Sequence, residues 1–151
     1  NTDINDILLK VTTLNKFYST GIISIYPVAK HILDDVTDID SRLKKGDISA
    51  VSDIQSVTLG GEMKKLYSFA SKYCSHHNSK DYPIYDSYVD RILRYFRKCH
   101  KFFDFKNEDL KDYVKFKGII IEFQKFYGLN EYSLKQIDQY LWQLGKEYFS
   151  K

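Results

Sequence analysis

Hydrophobic residues recur at three- and four-residue intervals along almost the whole chain, and that period constrains its architecture more than any other feature. Ile4, Ile7, Leu8, Val11 and Leu14 share one face of a first helix, with Lys10 and Lys16 off it. A second run holds Ile22, Ile23, Ile25, Val28, Ala29, Ile32 and Leu33, and a helix is expected over at least residues 27–36, with Pro27 near its start. The polar stretch 34–47 reads as a connection. Asp47 is then placed to N-cap a short helix carrying Ile48, Val51 and Ile54, after which Gly60 and Gly61 break the chain. Met63, Leu66, Ala70, Tyr73 and Cys74 line the inner face of the next helix, which ends near residues 77–78. Beyond the Tyr82-Pro83 turn, Asp86 is a natural N-cap for a helix burying Val89, Ile92, Leu93 and Phe96. Asn107 precedes a helix with Leu110, Tyr113, Val114, Ile120 and Phe123, acidic at its start through Glu108 and Asp109. Ser133 and Gln136 form a capping box before Ile137, Leu141 and Leu144.

With 7 Gly and 2 Pro in 151 residues, the chain lacks the breakers a turn-rich β architecture needs. The expectation is an all-α fold, a compact orthogonal bundle of about seven helices forming a single domain over residues 1–151. A hydrophobic content of 43% suffices for its core. Neither an internal repeat nor a linker is visible. Two cysteines, Cys74 and Cys99, make no secreted disulfide framework and no signal-peptide pattern is seen, so a reducing cytoplasm is expected. The longest apolar runs, such as residues 118–123, are too short to cross a bilayer, which points to a soluble protein with no membrane partner. A net charge of +3 permits a polyanionic partner without requiring one.

The chemistry-bearing candidates cluster in residues 68–93. Lys72 lies on one amphipathic run and Asp86 opens the next. A lysine amine can attack an electrophilic carbon while a fixed carboxylate stabilises the positive charge developing there. Arg91, Arg94, Arg97, Lys98 and Lys101 recur at helical spacing on the helix that Asp86 opens, a basic stripe suited to phosphates. The residues leave plainer readings open: a surface lysine, a capping aspartate and a solvated charged face.

Ser68-Phe69-Ala70-Ser71-Lys72 and Pro83-Ile84-Tyr85-Asp86-Ser87-Tyr88-Val89 resemble the lysine- and aspartate-bearing segments of the helix-hairpin-helix DNA glycosylases, the 8-oxoguanine glycosylase type in particular. The resemblance covers about the middle third of the chain. It implies a glycosylase-like fold, a damaged DNA duplex as partner, and hydrolase and lyase chemistry in base-excision repair. In it Lys72 is the nucleophile that forms a Schiff base and Asp86 stabilises the oxocarbenium-like sugar; separately, neither a cofactor nor a metal is expected. The family's leucine-proline-glycine-x-glycine hairpin, which holds a phosphate, has its nearest counterpart in Leu59-Gly60-Gly61. If Gly60 and Gly61 are that hairpin, Lys65 falls where the nucleophile belongs, so both lysines stand as candidates. A non-catalytic helical module that binds nucleic acid or protein is the rival reading.

Other constellations carry less. Cys74, His76, His77, Cys99 and His100 are zinc-ligand types at spacings that match no standard finger. Asp34, Asp35, Asp38 and Asp40 lack the glycine and ligand pattern of a calcium loop, since Arg42 and Leu43 intrude, and read as a polar loop. Trp142 reads as core or domain-closing packing.

Overall fold

The computed structural model describes residues 3–150. Those residues are mostly helical, with eight α-helices, one 3₁₀ helix and one two-stranded hairpin among them. They fall into two compact units, Asn1–Asn78 and Ser79–Lys151, divided where the sequence carries no compositional break.

The first unit contains α1 (Ile4–Tyr18), α2 (Ile25–Asp34), α3 (Ile39–Lys45), α4 (Ser49–Gln55), β1 (Ser56–Leu59), β2 (Glu62–Lys65) and α5 (Tyr67–His77). Asp3 caps α1 by accepting from the Asn5 amide at 2.9 Å. Ile7, Val11 and Leu14 are buried, as the spacing requires, and α1 packs on α2 and α5. The turn after α1 is held by Asn15, whose amide donates to the Ile22 carbonyl and whose oxygen accepts from the Ile22 amide, both at 2.9 Å. That clamp throws Ile23 into solvent, and α2 starts at Ile25 with Pro27 in its first turn, where its missing N–H costs nothing.

Three expectations are corrected in this unit. The stretch 34–47 contains α3, a two-turn helix that buries Ile39 and Leu43, one turn apart, and stops at Gly46 in the left-handed conformation (φ 74°). Gly60 and Gly61 do not simply interrupt helices. With φ of 60° and 82° they form the two-residue turn of the β1–β2 hairpin, in which Leu59 faces Glu62 and Val57 faces Lys64. Met63 therefore belongs to β2, exposed, and not to the inner face of a helix. The helix itself begins at Tyr67.

The second unit contains α6 (Ser87–His100), a 3₁₀ helix (Asn107–Lys111), α7 (Tyr113–Phe126) and α8 (Leu134–Phe149). Asp86 caps α6, and Ser133 with Gln136 makes the reciprocal capping box of α8. The helix expected from Asn107 is broken: the 3₁₀ turn ends at Asp112, which caps α7 anew and leaves Val114 exposed and not in the core. Helices α6 and α8 approach closely at Gly145, where an added Cβ would lie 2.5 Å from the Tyr88 carbonyl oxygen. Phe96, Phe102, Phe123 and Tyr127 form an aromatic cluster of edge-to-face and tilted pairs, with Phe96 and Phe123 centroids 5.2 Å apart. Trp142 stays on the surface with Lys146 over its ring at 4.9 Å, so it does not close the core. No helix among the described residues is long and apolar enough to cross a membrane.

Candidate functional site

Helix α5 is buried on nearly every side. Ser68, Ser71, Lys72 and Ser75, at i, i+3, i+4 and i+7, form a polar stripe beside apolar Phe69, Ala70, Tyr73 and Cys74. Lys72 is only 5% exposed, which no pattern of apolar residues announces. Its amine donates to Ser68 Oγ at 3.0 Å and lies 5.2 Å from the centre of the Tyr18 ring. A buried amine needs such partners, because an unpaired one would carry a large desolvation penalty. Lys65 sits at the exposed end of β2, so of the two candidate lysines Lys72 alone is withdrawn from water. Gly60 and Gly61 link two strands here, whereas the hairpin of the resemblance links two helices. Burial pushes the Cys74 thiol well above its ordinary range, which leaves it unreactive.

Asp86 lies in the second unit. Its Oδ1 accepts from the Tyr88 amide at 2.7 Å and the Val89 amide at 3.3 Å, the geometry of an N-cap. The segment leading to it is pinned residue by residue. Tyr82 is fully buried against Tyr113, and the Tyr113 hydroxyl donates to the Pro83 carbonyl at 2.6 Å. The Ile84 amide donates to Asp138 Oδ2 at 2.8 Å, and the Tyr85 hydroxyl donates to Asp90 Oδ2 at 2.7 Å. Asp138 is 2% exposed, and burial pushes its carboxyl up to about 6 despite Lys135 at 3.6 Å. These two buried carboxylates went unseen in the sequence, where neither falls at a capping or motif position.

The five cations of the basic stripe part company. Arg94 Nε reaches Asp90 Oδ1 at 2.8 Å, an ion-pair distance without the alignment of a hydrogen bond. Arg97 donates to the Phe105 carbonyl at 2.8 Å and to Asn107 Oδ1 at 2.6 Å, with its guanidinium 4.6 Å from the Phe105 ring centre. Lys101 takes the left-handed C-cap position of α6 (φ 49°), its side chain exposed. Arg91 and Lys98 are exposed on the helix body. Charge is distributed unevenly as well: residues 1–78 hold nine Lys and Arg against nine Asp and Glu, and residues 79–151 hold fourteen against eleven. The whole formal excess of +3 therefore lies in the second unit.

A second polar centre, absent from the sequence reading, occupies the first unit. Arg42 donates to Asp47 at 2.7 Å, Asp53 at 2.6 Å and Ser49 at 2.9 Å, tying α3 to α4. The Ser49 hydroxyl, then the Arg42 guanidinium, hold the Asp47 carboxyl below the usual carboxylate range. His31 bridges Asp35 Oδ2 at 2.9 Å and the Asp53 carbonyl at 2.7 Å. Beside it a depression of about 360 Å³ is lined by Lys30, His31, Asp34 and Asp35 with Ser56 and Thr58. Its charges pair internally, Lys30 with Asp34 at 3.1 Å, so it selects neither sign of ligand. The acids 34, 35 and 38 thus serve α2 and the start of α3. Among the described residues no three His, Cys, Asp or Glu side chains converge as a metal site would require.

The chain is similar to proteins with no assigned activity. The profile of a family described as HI_0787_N, N-terminal domain, matches residues 1–81, a segment that nearly coincides with the first compact unit. A protein of Haemophilus influenzae described as uncharacterized is 52% identical over 150 residues, which cover 99% of this chain and 71% of that protein. The chain belongs to this family. No solved structure matches it.

Proposed function

We propose that this chain binds DNA through the second unit and acts on it in the manner of a base-excision glycosylase with lyase activity, Lys72 being the nucleophile. The observation that carries the catalytic part is the burial of Lys72, only 5% exposed, since a lysine held away from bulk water is a candidate nucleophile toward an electrophilic carbon. The binding part rests on the charge excess of residues 79–151 and on exposed Arg91, Lys98 and Lys101. Asp86 takes the role of the charge-stabilising carboxylate through the resemblance. In the reaction the neutral amine adds to the anomeric carbon as the base leaves with the bonding electrons and takes up a proton, and cleavage of the bond from the anomeric carbon to the ring oxygen, which is protonated to a hydroxyl, then gives the Schiff base.

Borohydride trapping on a panel of lesion-bearing duplexes tests this reading. Wild-type protein is expected to yield a reduced covalent adduct that Lys72→Gln loses and Lys65→Gln keeps. The reverse pattern moves the nucleophile to Lys65, and no adduct from folded wild-type protein removes the catalysis. A second reading, a DNA-binding module without catalysis, is favoured by the engagement of Asp86 Oδ1 with two backbone amides. It predicts salt-dependent binding with no base release.

A further inference from the structure

Helices α6 and α8 present an outward surface in which aromatic rings and cations alternate. Arg91, Tyr95 and Lys98, at i, i+4 and i+7, lie on the side of α6 opposite buried Val89, Ile92 and Leu93. Tyr95 is 50% exposed and Tyr148, at the end of α8, is 66% exposed, yet the two rings are nearly parallel (21°) with centroids 6.5 Å apart. The Arg91 guanidinium rests 5.8 Å from the centre of the Phe149 ring, which fixes a cation at the edge of the tyrosine pair. Arg94 and Arg97 are committed to Asp90, Phe105 and Asn107, so Arg91 and Lys98 are the stripe residues flanking Tyr95 that remain turned to solvent. The acid of the last turn, Glu147, lies about 100° round α8 from Tyr148.

We infer that this surface takes an unpaired nucleic-acid strand, its bases stacking on Tyr95 and Tyr148 and its phosphates met by Arg91 and Lys98. The inference rests on the DNA-binding reading above and adds which form of DNA this face takes and where. Exposed rings find little to stack on in a duplex, whose base faces are already covered by neighbouring bases and whose grooves present only base edges. A single strand offers π faces to any aromatic platform and phosphates to the cations beside it. Positive charge on the unit that carries the face complements such a polyanion.

Anisotropy of a fluorescein-labelled oligothymidine and of a labelled duplex of equal length, titrated with the 151-residue chain at several salt concentrations, tests it. Tyr95→Ala and Tyr148→Ala should each weaken oligothymidine binding about 5- to 100-fold with the salt slope unchanged, and alter duplex binding less than twofold. Arg91→Gln should lower the single-strand slope by about 0.7. Tyrosine variants that bind like wild type, or that lose strand and duplex equally, overturn the inference. Duplex binding with no single-strand binding overturns it while leaving the DNA reading intact, and binding to neither removes both. Concentration-dependent self-association abolished by Tyr148→Ala would assign the face to a second copy and overturn it as well.

Discussion

The two units bury charge in opposite ways. In the first, a lysine is set on a helix walled in by its own unit's α1 and α4, with a hydroxyl and a π face among the groups around its amine. In the second, Asp90 and Asp138 are buried, and each fixes one residue of the segment before α6. The carboxylates have a structural task legible in their hydrogen bonds: they satisfy a buried amide and a buried phenol that would otherwise be stranded. Lys72 instead donates to Ser68 Oγ, one turn back on its own helix. The buried acids thus fix the segment before α6, whereas Lys72 is the buried charge to which the proposed reaction gives a task.

The largest effect should come from Lys72 itself. Lys72→Ala deletes a long buried side chain and should cost about 3 kcal/mol, in the range of large-to-small core substitutions. Lys72→Met keeps the volume and should cost less than about 1.5 kcal/mol if the methylenes, and not the charge, matter to the fold. Urea denaturation of the two variants decides the point. If Met is as damaging as Ala, the ammonium is a structural charge like the buried carboxylates, and the contrast between the units disappears.

Asp138 should respond next, and in both directions. Asp138→Leu strands the Ile84 amide and should cost about 2 kcal/mol, whereas Asp138→Asn still offers an oxygen to that amide and should stabilise at pH 7. The pH dependence carries the sign. The folded carboxyl titrates at about 6 and the unfolded one near 4, so between those values the folded state binds the extra proton. Stability should therefore fall as pH rises from about 4 to about 6, by on the order of 2 kcal/mol, and level off above. Thermal melts of Asp138→Asn should lose that slope. A wild-type melt whose stability rises over this window would mean that Lys135 and the Ile84 amide, not burial, dominate the site.

Why Asp138 is not legible in the sequence, when Asp86 and Ser133 are, is a matter of range. Caps act within three residues, so Asp86 before Val89 and Ser133 before Gln136 are written locally, and both formed. The bond from Ile84 to Asp138 spans 54 residues and that from Tyr113 to Pro83 spans 30, distances at which a single sequence carries no signal. Helix α3 is hidden for a different reason, since Ile39 and Leu43 are its only buried positions and two residues do not establish a period. Gly60-Gly61 is legible as a break, yet the strands beside it are four residues each and β2 is exposed throughout, so no alternation marks them. The basic stripe was legible as a spacing, but its division into engaged Arg94 and Arg97 and outward Arg91 and Lys98 depends on Asp90, Phe105 and Asn107.

A smaller loss is expected at Tyr85. Burial, then the bond to Asp90, raises its hydroxyl above the ordinary tyrosine range, so it remains a donor throughout the accessible pH range. Tyr85→Phe removes that donor from Asp90 Oδ2 and should cost about 1 kcal/mol, with Arg94 limiting the damage from the other side. In an Arg94→Gln background the same change should cost more, because the buried carboxylate then loses both partners, and a double-mutant cycle measures the excess. Strict additivity would show that Arg94 lends Asp90 no support.

Asp86 should give the smallest change in stability and the sharpest functional one. Its Oδ1 holds the first amides of α6, so Asp86→Ala should cost about 1 kcal/mol, while Asp86→Asn, with an equivalent oxygen in place, should cost a few tenths. Asparagine keeps the oxygen that caps α6, loses the charge and turns the second oxygen into an amino group. If the residue does nothing but begin α6, Asn should match wild type in every DNA assay and Ala should fall slightly behind through instability. If its charge supports an oxocarbenium-like transition state, Asn should suppress base release about 100-fold or more at unchanged stability and DNA affinity. Single-turnover base release by the two variants, read beside their urea midpoints, separates the cap from the catalyst, because the two roles rank Ala and Asn differently.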